Sequence, residues 1–415
     1  MSPPRPGHAI WLRWSWRDLR NRWAQVLAIA AIIALGTGIY TGFVSSSQWR
    51  RVSYRASYAQ LAMYDLRVRL TDGSFVDATA LADTIRTIPS SATLRAVAPR
   101  LVVKTQVDAS TGDETILVPG RIVGVDVAET GPRVNRVAAV VGRPLTPRDA
   151  GAPVAVLERN FADFYDLAPQ GTLTISGGTE LRYVGQGLSP EYFFIQGDQG
   201  SLFAESNYAV LFMPLDTAGA VTGHPGAAND AVVRLRAGSD RAAVRAEIAV
   251  ALGQAFPGVG YDINSRARDE VRRLLFQDVT NDQRLYDVLA VLTLLGAAFA
   301  AFNLTGRMVE AQRREIGIGM ALGVPRHSLT RRPLLLGVQI GVLGTVAGIG
   351  VGVVIGRLMR SAFEGIVPLP VFLTPFQPST FALGAVLGLA LPVLAAAGAV
   401  WRAVRVEPVV AIRTG

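Results

Sequence analysis

Residues 333–356 read PLLLGVQIGVLGTVAGIGVGVVIG, an apolar run that contains no charged side chain. A helix needs about 20 such residues to cross the roughly 30 Å of hydrocarbon in a bilayer, so this run predicts a membrane span. Three other stretches have the same character. The predicted spans are span one at 23–47, span two at 287–305, span three at 333–356 and span four at 380–401.

The composition supports a membrane protein. Of 415 residues, half are hydrophobic and only 18% are charged, and the mean hydropathy is +0.31. Soluble domains carry about 25% charged residues. The chain has no cysteine, which excludes disulfides, thiol nucleophiles, iron–sulfur clusters and cysteine zinc sites. The three histidines (His8, His224 and His327) are scattered, so we predict no metal site.

The net charge of +9 is concentrated beside the apolar runs. Residues 1–23 carry +4, 306–332 carry +4 and 402–415 carry +2, whereas 24–305 carry −2. A nucleic-acid footprint is the alternative, but short basic flanks around apolar runs are typical of a membrane orientation signal. The positive-inside rule then places both termini, the loop at 306–332 and the tail at 402–415 in the cytoplasm. The predicted location is therefore a cell membrane, with both termini on its cytoplasmic side.

The N-terminal end is predicted to be an uncleaved anchor. The alternative is a cleaved signal peptide. The apolar part of span one is longer than the roughly 7–15 apolar residues of a signal peptide, and no clear small-x-small cleavage motif follows it. Residues 1–22 place apolar and arginine side chains on different helical faces, which predicts a cytoplasmic interfacial helix rather than an unordered basic flank. All tryptophans fall at predicted membrane–water boundaries as interface anchors: Trp11, Trp14, Trp16, Trp23, Trp49 and Trp401.

Residues 48–286 are predicted to form a large extracytoplasmic α/β domain, and 357–379 a short extracytoplasmic loop. A stalk helix is predicted at each end of the domain, at Gln48–Leu61 and Ser265–Tyr286; two unrelated capping helices are the alternative. Such helices are stiff enough to transmit motion, unlike a Gly/Ser linker. Further helices are predicted at Ala78–Ile88 and Arg241–Phe256, and strands at Leu66–Leu70, Leu101–Val107, Arg121–Val127, Val154–Leu157, Leu173–Ile175, Arg182–Val184, Tyr208–Leu211 and Val232–Leu235.

Span three contains glycine at every fourth residue. Because glycine lets helix backbones approach closely in lipid, this spacing predicts tight packing within the chain or across a dimer. Apart from Asp287 at the start of span two, none of the spans contains a charged residue, which argues against an ion-coupled carrier. The predicted packing residues are Gly344, Gly348, Gly352 and Gly356.

The predicted cytoplasmic loop changes character along its length. Residues 307–325 read RMVEAQRREIGIGMALGVP, polar and basic first, then small and apolar. This pattern predicts an extension of span two, a break near 317–319 and a short amphipathic coupling helix. Gly317, Gly319 and Gly323 do not form a nucleotide-binding loop, because their spacing is G-x-G-x-x-x-G and no strand precedes them.

The loop resembles the motif after the second span in the FtsX/MacB-like permeases, the type VII or mechanotransmission ABC transporters. The matching residues are Gln312–Gly317, read as QRREIG, and Ala321–Gly323, read as ALG. The tail at 402–413 resembles the family's C-terminal ending, and Arg17–Arg20 its start. Members often carry a glutamate early in span three, where this chain has Gly337 and Gln339.

The resemblance implies an α-helical membrane domain of four spans plus a large mixed α/β extracytoplasmic domain on helical stalks. It implies a permease without its own motor, and the sequence holds no G-x-x-x-x-G-K-[ST], so ATP and Mg are expected on a separate cytoplasmic ABC ATPase dimer. It also implies a second permease copy or a paralogue, contact with membrane lipid, and room for a periplasmic adaptor. The residues implied to couple to the ATPase are Arg313, Arg314, Glu315, Ile316, Gly317, Ala321, Leu322 and Gly323.

Three functions are compared. The first is ATP-driven export or extraction of an amphipathic substrate, namely a lipoprotein, lipid, peptide or drug. The second is a transmembrane regulator that activates a cell-wall hydrolase or a stress signal without moving cargo. The third, an enzyme, is disfavoured because the sequence has no HExxH, G-x-S-x-G or thiol, and the pairs Asp163/Asp166 and Asp269/Glu270 are predicted to be solvated surface charges.

Overall fold

The computed structural model describes residues 20, 23–112, 114–127, 133–194, 206–310, 318 and 326–404. The chain divides into two compact units. The helical unit comprises residues 1–50, 279–363 and 374–415, and the sheet unit comprises 51–278 and 364–373. The helices whose bounds are described are α1 (Trp23–Gln60), α2 (Ala78–Arg86), α3 (Arg159–Phe164), α4 (Leu215–Thr222), α5 (Arg241–Ala255), α6 (Glu270–Glu310), α7 (Arg326–Ile366) and α8 (Pro378–Val404).

Four helices, α1, α6, α7 and α8, are long and apolar enough to cross a membrane. Each predicted span lies inside one of them. The predicted loop at 357–379 is wrong in its first part, because α7 continues to Ile366 and leaves 367–377 as the connector. Its charged residues indicated a loop, but arginine and glutamate are good helix formers and can extend a helix past the apolar region.

In the helical unit, α1 packs against α7 through branched apolar side chains. Val26, Ile29 and Ile33 of α1 form a buried cluster with Leu336 and Ile340 of α7. The spacing of three to four residues along each helix places these side chains on one face. The cluster therefore fixes which face of α1 meets α7.

The sheet unit is built on one ten-stranded sheet and a two-stranded ribbon. The order in the large sheet is β12-β1-β11-β3-β4-β9-β6-β8-β5, with β7 pairing β3 and β8, and the ribbon pairs β2 with β10. The strands are β1 (Leu66–Leu70), β2 (Val76–Asp77), β3 (Leu94–Asp108), β4 (Leu117–Val125), β5 (Ala138–Gly142), β6 (Val154–Glu158), β7 (Gly171–Ile175), β8 (Thr179–Leu188), β9 (Ala209–Pro214), β10 (Ala227–Ala228), β11 (Asp230–Leu235) and β12 (Tyr261–Ser265).

The long strand β3 joins two hydrophobic cores. Its first part, residues 94–100, pairs with β11, and its second part, residues 101–108, pairs with β4. One core lies where α2 and α5 cover β1, β11 and β12, around Leu81 and Ile248. The other lies around β4, β6 and β9, with Phe161 and Phe212 fully buried.

Every predicted strand overlaps an observed one, but strands β2, β5, β10 and β12 and helices α3 and α4 were not predicted. The predicted stalk helix at Ser265–Tyr286 begins too early, because Ser265 closes β12 and α6 starts at Glu270. Strand β12 reads YDINS, and its polar residues alternate with Tyr261 and Ile263. It is an edge strand that pairs with β1 alone among the described residues, and so carries a weak hydrophobic signal.

Candidate functional site: the base of the two stalk helices

The first stalk helix ends on the loop that precedes β5. The carbonyl oxygens of Leu61 and Ala62 accept backbone N–H bonds of 2.8 Å from Arg136 and 2.9 Å from Asn135. Ala62 has a φ of +53°, a left-handed conformation that terminates the helix. Because carbonyl groups at a helix end lack partners inside the helix, these bonds fix the end of α1 within the sheet unit.

The second stalk helix is capped by Asp269, whose carboxylate has two partners. Its Oδ1 accepts a 2.9 Å bond from the backbone N–H of Arg272 and so caps α6. Its Oδ2 accepts a 2.9 Å bond from the hydroxyl of Tyr64, which lies shortly after the end of α1. Burial and the nearby charge of Asp269 raise the pKa of Tyr64, which keeps the phenol a donor at neutral pH. One carboxylate thus ties the start of α6 to the chain leaving α1.

Asp269 is therefore not the solvated surface charge that the sequence predicted. Removal from water raises its pKa to about 6, and the negative charge of Glu191 adds to the shift. Glu270 is exposed, as predicted, and so are Asp163 and Asp166. The prediction failed at Asp269 because its capping role follows from the start of α6, which the sequence analysis placed at Ser265.

Aromatic side chains join the two stalk helices inside the sheet unit. The ring of Phe276 on α6 lies 5.9 Å from that of Tyr54 and 6.3 Å from that of Tyr58, both on α1. The guanidinium of Arg272 stands 4.6 Å above the Phe276 ring. Aromatic pairs and cation–π contacts of this kind add to the area they bury, so α1 and α6 are held together as a pair at this end.

Two serines of α1 hold the connector between α7 and α8. The hydroxyl of Ser53 bonds both the N–H and the carbonyl oxygen of Leu373, each at 2.9 Å. The hydroxyl of Ser57 does the same with Val371, at 3.3 and 3.0 Å. Serines four residues apart lie on one helical face, and here they satisfy the backbone of an extended segment. The sequence analysis did not identify these two serines.

A buried ionic cluster lies beside the stalk base. Glu191 and Asp230 each bridge Arg67 and Arg100, so two carboxylates and two guanidinium groups neutralise one another. Arg67 Nε lies 2.6 Å from Asp230 Oδ2 and its Nη1 lies 2.7 Å from Glu191 Oε1. All four side chains are at most 13% exposed. A buried group of this kind is stable only because every charge has a partner.

Asn135 connects this cluster to the end of α1. Its Nδ2 donates a 2.6 Å bond to Glu191, and its Oδ1 accepts a 2.9 Å bond from the backbone N–H of Tyr64. Burial alone would raise the pKa of Glu191, but the charges of Arg100 and Arg67 outweigh it and lower that pKa to about 2. Glu191 therefore stays ionised, and the cluster, Asn135, Tyr64 and Asp269 form one continuous polar network around the roots of both stalks.

The helical unit has its own contact between the stalk helices. Arg50 of α1 forms an ion pair with Asp282 of α6, and its guanidinium lies 3.8 Å over the ring of Phe363 on α7. Trp49 packs edge-on against the same ring, with centroids 6.0 Å apart. Trp49, predicted as an interface anchor, is thus only 3% exposed, whereas Trp23 is 64% exposed.

Three of the four predicted packing glycines face α1. A Cβ on Gly344 would stand 2.8 Å from Cβ of Ile33, and one on Gly348 or Gly352 would overlap the hydroxyl of Thr37 or Thr41. Nothing within this chain lies within 4 Å of a Cβ built on Gly356, so for this glycine the alternative of packing across a dimer stays a prediction.

Residues 311–317 and 319–325 of the predicted cytoplasmic loop lie outside the described residues, and they include every residue predicted to contact the ATPase. Trp11, Trp14 and Trp16 also lie outside them, while Trp401 is 58% exposed. Among the described residues, no group of histidine, cysteine, aspartate and glutamate side chains could hold a metal ion.

Two family models match this chain. The MacB-like periplasmic core domain matches residues 26–251, and the FtsX-like permease C-terminal model matches residues 288–408. The first covers more than half of the chain and includes most of the sheet unit. The second covers spans two, three and four, together with the loop between spans two and three.

Similar proteins are ATP-binding/permease proteins. The probable syringafactin export protein SyfD of Pseudomonas syringae pv. tomato is 26% identical over 66% of this chain and 41% of its own length. The macrolide export protein MacB of Syntrophobacter fumaroxidans is 29% identical over 38% of this chain and 21% of its own. The chain thus spans less than half the length of these relatives.

Two solved structures resemble the chain at low identity. The periplasmic region of MacB from Actinobacillus actinomycetemcomitans has 13% identity and a TM-score of 0.35, and covers 54% of this chain and 96% of that one. The extracellular domain of YknZ, a noncanonic ABC-type transporter from Gram-positive bacteria, has 12% identity and a TM-score of 0.34, covering 49% and 99%.

Proposed function

The chain belongs to the FtsX/MacB-like permease family, and on this premise we propose that it transmits ATP-driven motion from a cytoplasmic ATPase to its sheet unit. In this proposal a separate subunit binds ATP and Mg, as the family's permease component implies; the sequence printed here contains no G-x-x-x-x-G-K-[ST] motif. In this proposal both termini are cytoplasmic and the sheet unit is extracytoplasmic, as the distribution of arginine favours.

The observation that carries the proposal is the continuity of α6. This helix runs without interruption from Glu270 to Glu310. The helix begins directly after Asp269, whose carboxylate bonds Tyr64. It ends directly before the loop that is proposed to contact the ATPase. A continuous helix transmits displacement along its axis, which a flexible linker cannot do. Helix α1, from Trp23 to Gln60, has the same continuity.

The proposed partners follow from the family. An ABC ATPase dimer would contact Arg313–Gly317 and Ala321–Gly323, and a second permease copy or a paralogue would be needed to face its second subunit. A periplasmic adaptor would receive the cargo where one exists. Membrane lipid surrounds the exposed apolar face of α6, where Leu292, Leu295 and Phe299 are each at least 61% exposed.

The proposed activity is export of an amphipathic molecule. This is supported by the names of the two similar proteins, which describe export of syringafactin and of macrolides. No observation on the described residues favours the regulatory alternative over export.

The transmission can be tested by interrupting α6 between its two ends. The full chain would be copurified with its ATPase and reconstituted in nanodiscs. A spin label would be attached at Ala237→Cys, an exposed turn of the sheet unit in a chain that has no other cysteine. We expect the label-to-label distance between two permease copies to change when ATP hydrolysis is trapped with vanadate.

The matched variants are Asn281→Pro and Asn281→Ala, at an exposed position of α6. Proline removes a helix hydrogen bond and bends the helix, whereas alanine preserves it. We expect N281P to bind the ATPase but lose the distance change, and N281A to keep it. A distance change that survives in N281P would rule out α6 as the transmitting element.

A further inference from the structure

A cavity of about 410 Å³ opens in the sheet unit beside the first part of β3. Small-molecule sites have volumes of about 300–1,000 Å³, so it is large enough for a ligand. Residues 94–100 of β3 pair with β11 on one edge, and the pairing with β4 begins only at Leu101. Side chains from both faces of β3, including Arg95 and Ala96, therefore reach the cavity.

The cavity is lined by several arginines. Arg86, Arg95, Arg133 and Arg136 are exposed around it, and Arg86 is ion-paired with Asp83. Asp126 is the one carboxylate among the described residues that line the cavity. Concave surfaces that carry one sign of charge concentrate counter-ions. Guanidinium groups also match the geometry of carboxylate and phosphate by donating two parallel hydrogen bonds.

The fifth arginine has a different role. Arg100, which also lines the cavity, is only 4% exposed and is neutralised by Glu191 and Asp230. It belongs to the ionic cluster at the stalk base and forms the inner wall. Any ligand held by the exposed arginines would therefore lie next to the network that fixes both stalk helices.

The positive charge is crowded. Arg234 lies near Arg95, and burial together with the charge of Arg95 lowers the pKa of Arg234. Such crowding costs folding stability through self-repulsion, and a bound anion would relieve it.

The rest of the lining is largely apolar. It includes Val97, Val125, Val127, Val137 and Leu145. A site for a simple inorganic anion needs no such wall, whereas a site for a purely apolar molecule needs no arginines. The combination fits a ligand that has a charged end and an apolar body.

We propose that this cavity binds an anionic amphiphile, whose carboxylate or phosphate group contacts Arg95 and Arg136 and whose apolar part lies against the valine and leucine wall. The inference rests on the proposed export function, because it names the chemical class of the cargo that the sheet unit would hold. It adds a binding site to the transmission path described above.

The test uses the full chain in phosphatidylcholine nanodiscs and isothermal titration calorimetry. The probes are hexyl phosphate and hexanoate, with inorganic phosphate as the charge-only probe and hexyltrimethylammonium as the probe of opposite charge. We expect hexyl phosphate, hexanoate or both to bind more tightly than inorganic phosphate, and the cation not to bind. The two acids distinguish a phosphate from a carboxylate ligand.

The test variant is R95Q/R136Q, and the control is R182Q/R245Q, which removes two exposed arginines that do not line the cavity. Loss of two charge-assisted contacts should weaken binding by roughly tenfold or more. The control should bind like the wild type. We also expect the melting temperature of unliganded R95Q/R136Q to equal or exceed that of the wild type, since repulsion is removed.

Equal binding by R95Q/R136Q and the wild type would overturn the proposal, and so would tight binding of the cation. Equal binding of hexyl phosphate, hexanoate and inorganic phosphate would overturn the amphiphile class. These outcomes are separate from failure of the proposed function, because the calorimetric titrations need no ATPase, whereas the vanadate-dependent distance change in wild type and N281P is measured without any of these ligands.

Discussion

The helical unit and the sheet unit are held together by different means. In the helical unit, small residues bring α1 and α7 into close contact, and Thr37 and Thr41 bond backbone carbonyls of their own helix at 2.8 Å. In the sheet unit, two apolar cores surround β3, and a buried cluster of four charges lies between strands and stalk roots.

The difference follows from the solvent each unit is suited to. In lipid, apolar burial provides no drive for helix association, so close backbone approach and van der Waals contact must supply it. In water, apolar burial drives folding, and buried charges can specify one arrangement if each is paired. Substitutions should therefore damage the two units through different physical mechanisms.

The largest effect is expected at Glu191. Glu191→Gln removes a charge that Arg67 and Arg100 share and leaves Asp230 as their one remaining carboxylate in the cluster. Removing one partner of a buried ion pair costs about 3–5 kcal/mol, because a charge is left uncompensated. Urea unfolding of the full chain, followed by near-UV circular dichroism, would measure the loss.

The control is Asp83→Asn, which breaks an exposed ion pair with Arg86 whose side chains are 60% and 52% exposed. Exposed pairs of this kind contribute at most about 0.5 kcal/mol. A loss for E191Q as small as that for D83N would mean that the cluster does not fix the stalk base.

A smaller effect, which appears as a pH dependence of stability, is expected at Asp269. Its pKa is about 6 in the folded chain against 3.8 in the unfolded chain, so the folded state binds more protons between these values. Stability should therefore fall as the pH rises through that window, by on the order of 3 kcal/mol. Asp269→Asn should abolish the fall, measured by urea unfolding at a series of pH values.

Glu270→Gln is the matched control, because Glu270 is the exposed neighbour of Asp269 and its substitution should leave the fall in place. Glu191 acts at lower pH and with the opposite sign. Its pKa is lowered from 4.5 to about 2, so the stability it contributes is lost as the pH decreases through that range. A fall between about pH 4 and 6 that persists in D269N would assign the titration to another group.

The sequence predicted the parts of the molecule that rest on local pattern. Four apolar runs gave the spans, and apolar runs bounded by turns located eight of the strands. The ionic cluster could not be predicted, because its four members are far apart in the chain. Sheet pairing brings Arg67, Arg100 and Asp230 together, and Glu191 joins them from the turn that follows β8. The one available signal was a charged residue inside an apolar strand, as in LRVRL at Leu66–Leu70. Such a residue does not indicate which other residue it pairs with.

The glycine ladder shows how far spacing alone can go. A four-residue period correctly indicates one face of α7, but it cannot show where the partner helix ends. Gly344, Gly348 and Gly352 meet α1, while Gly356 has open space around it. Spacing alone also does not show which other glycines lack a neighbouring helix. Gly350, for example, has nothing within 4 Å of its hypothetical Cβ in this chain.

The smallest effect is expected at the contact between α1 and α7, where two glycines of α7 should respond differently to the same substitution. Gly348→Leu places a side chain where a Cβ already overlaps the Thr37 hydroxyl and lies 3.2 Å from the Ala34 carbonyl oxygen. Overpacking should cost about 1–3 kcal/mol, seen as a lower melting temperature in nanodiscs. Gly350→Leu meets nothing within 4 Å and replaces a poor helix former, so its melting temperature should be unchanged or higher. Equal losses in both variants would contradict a seam confined to one face of α7.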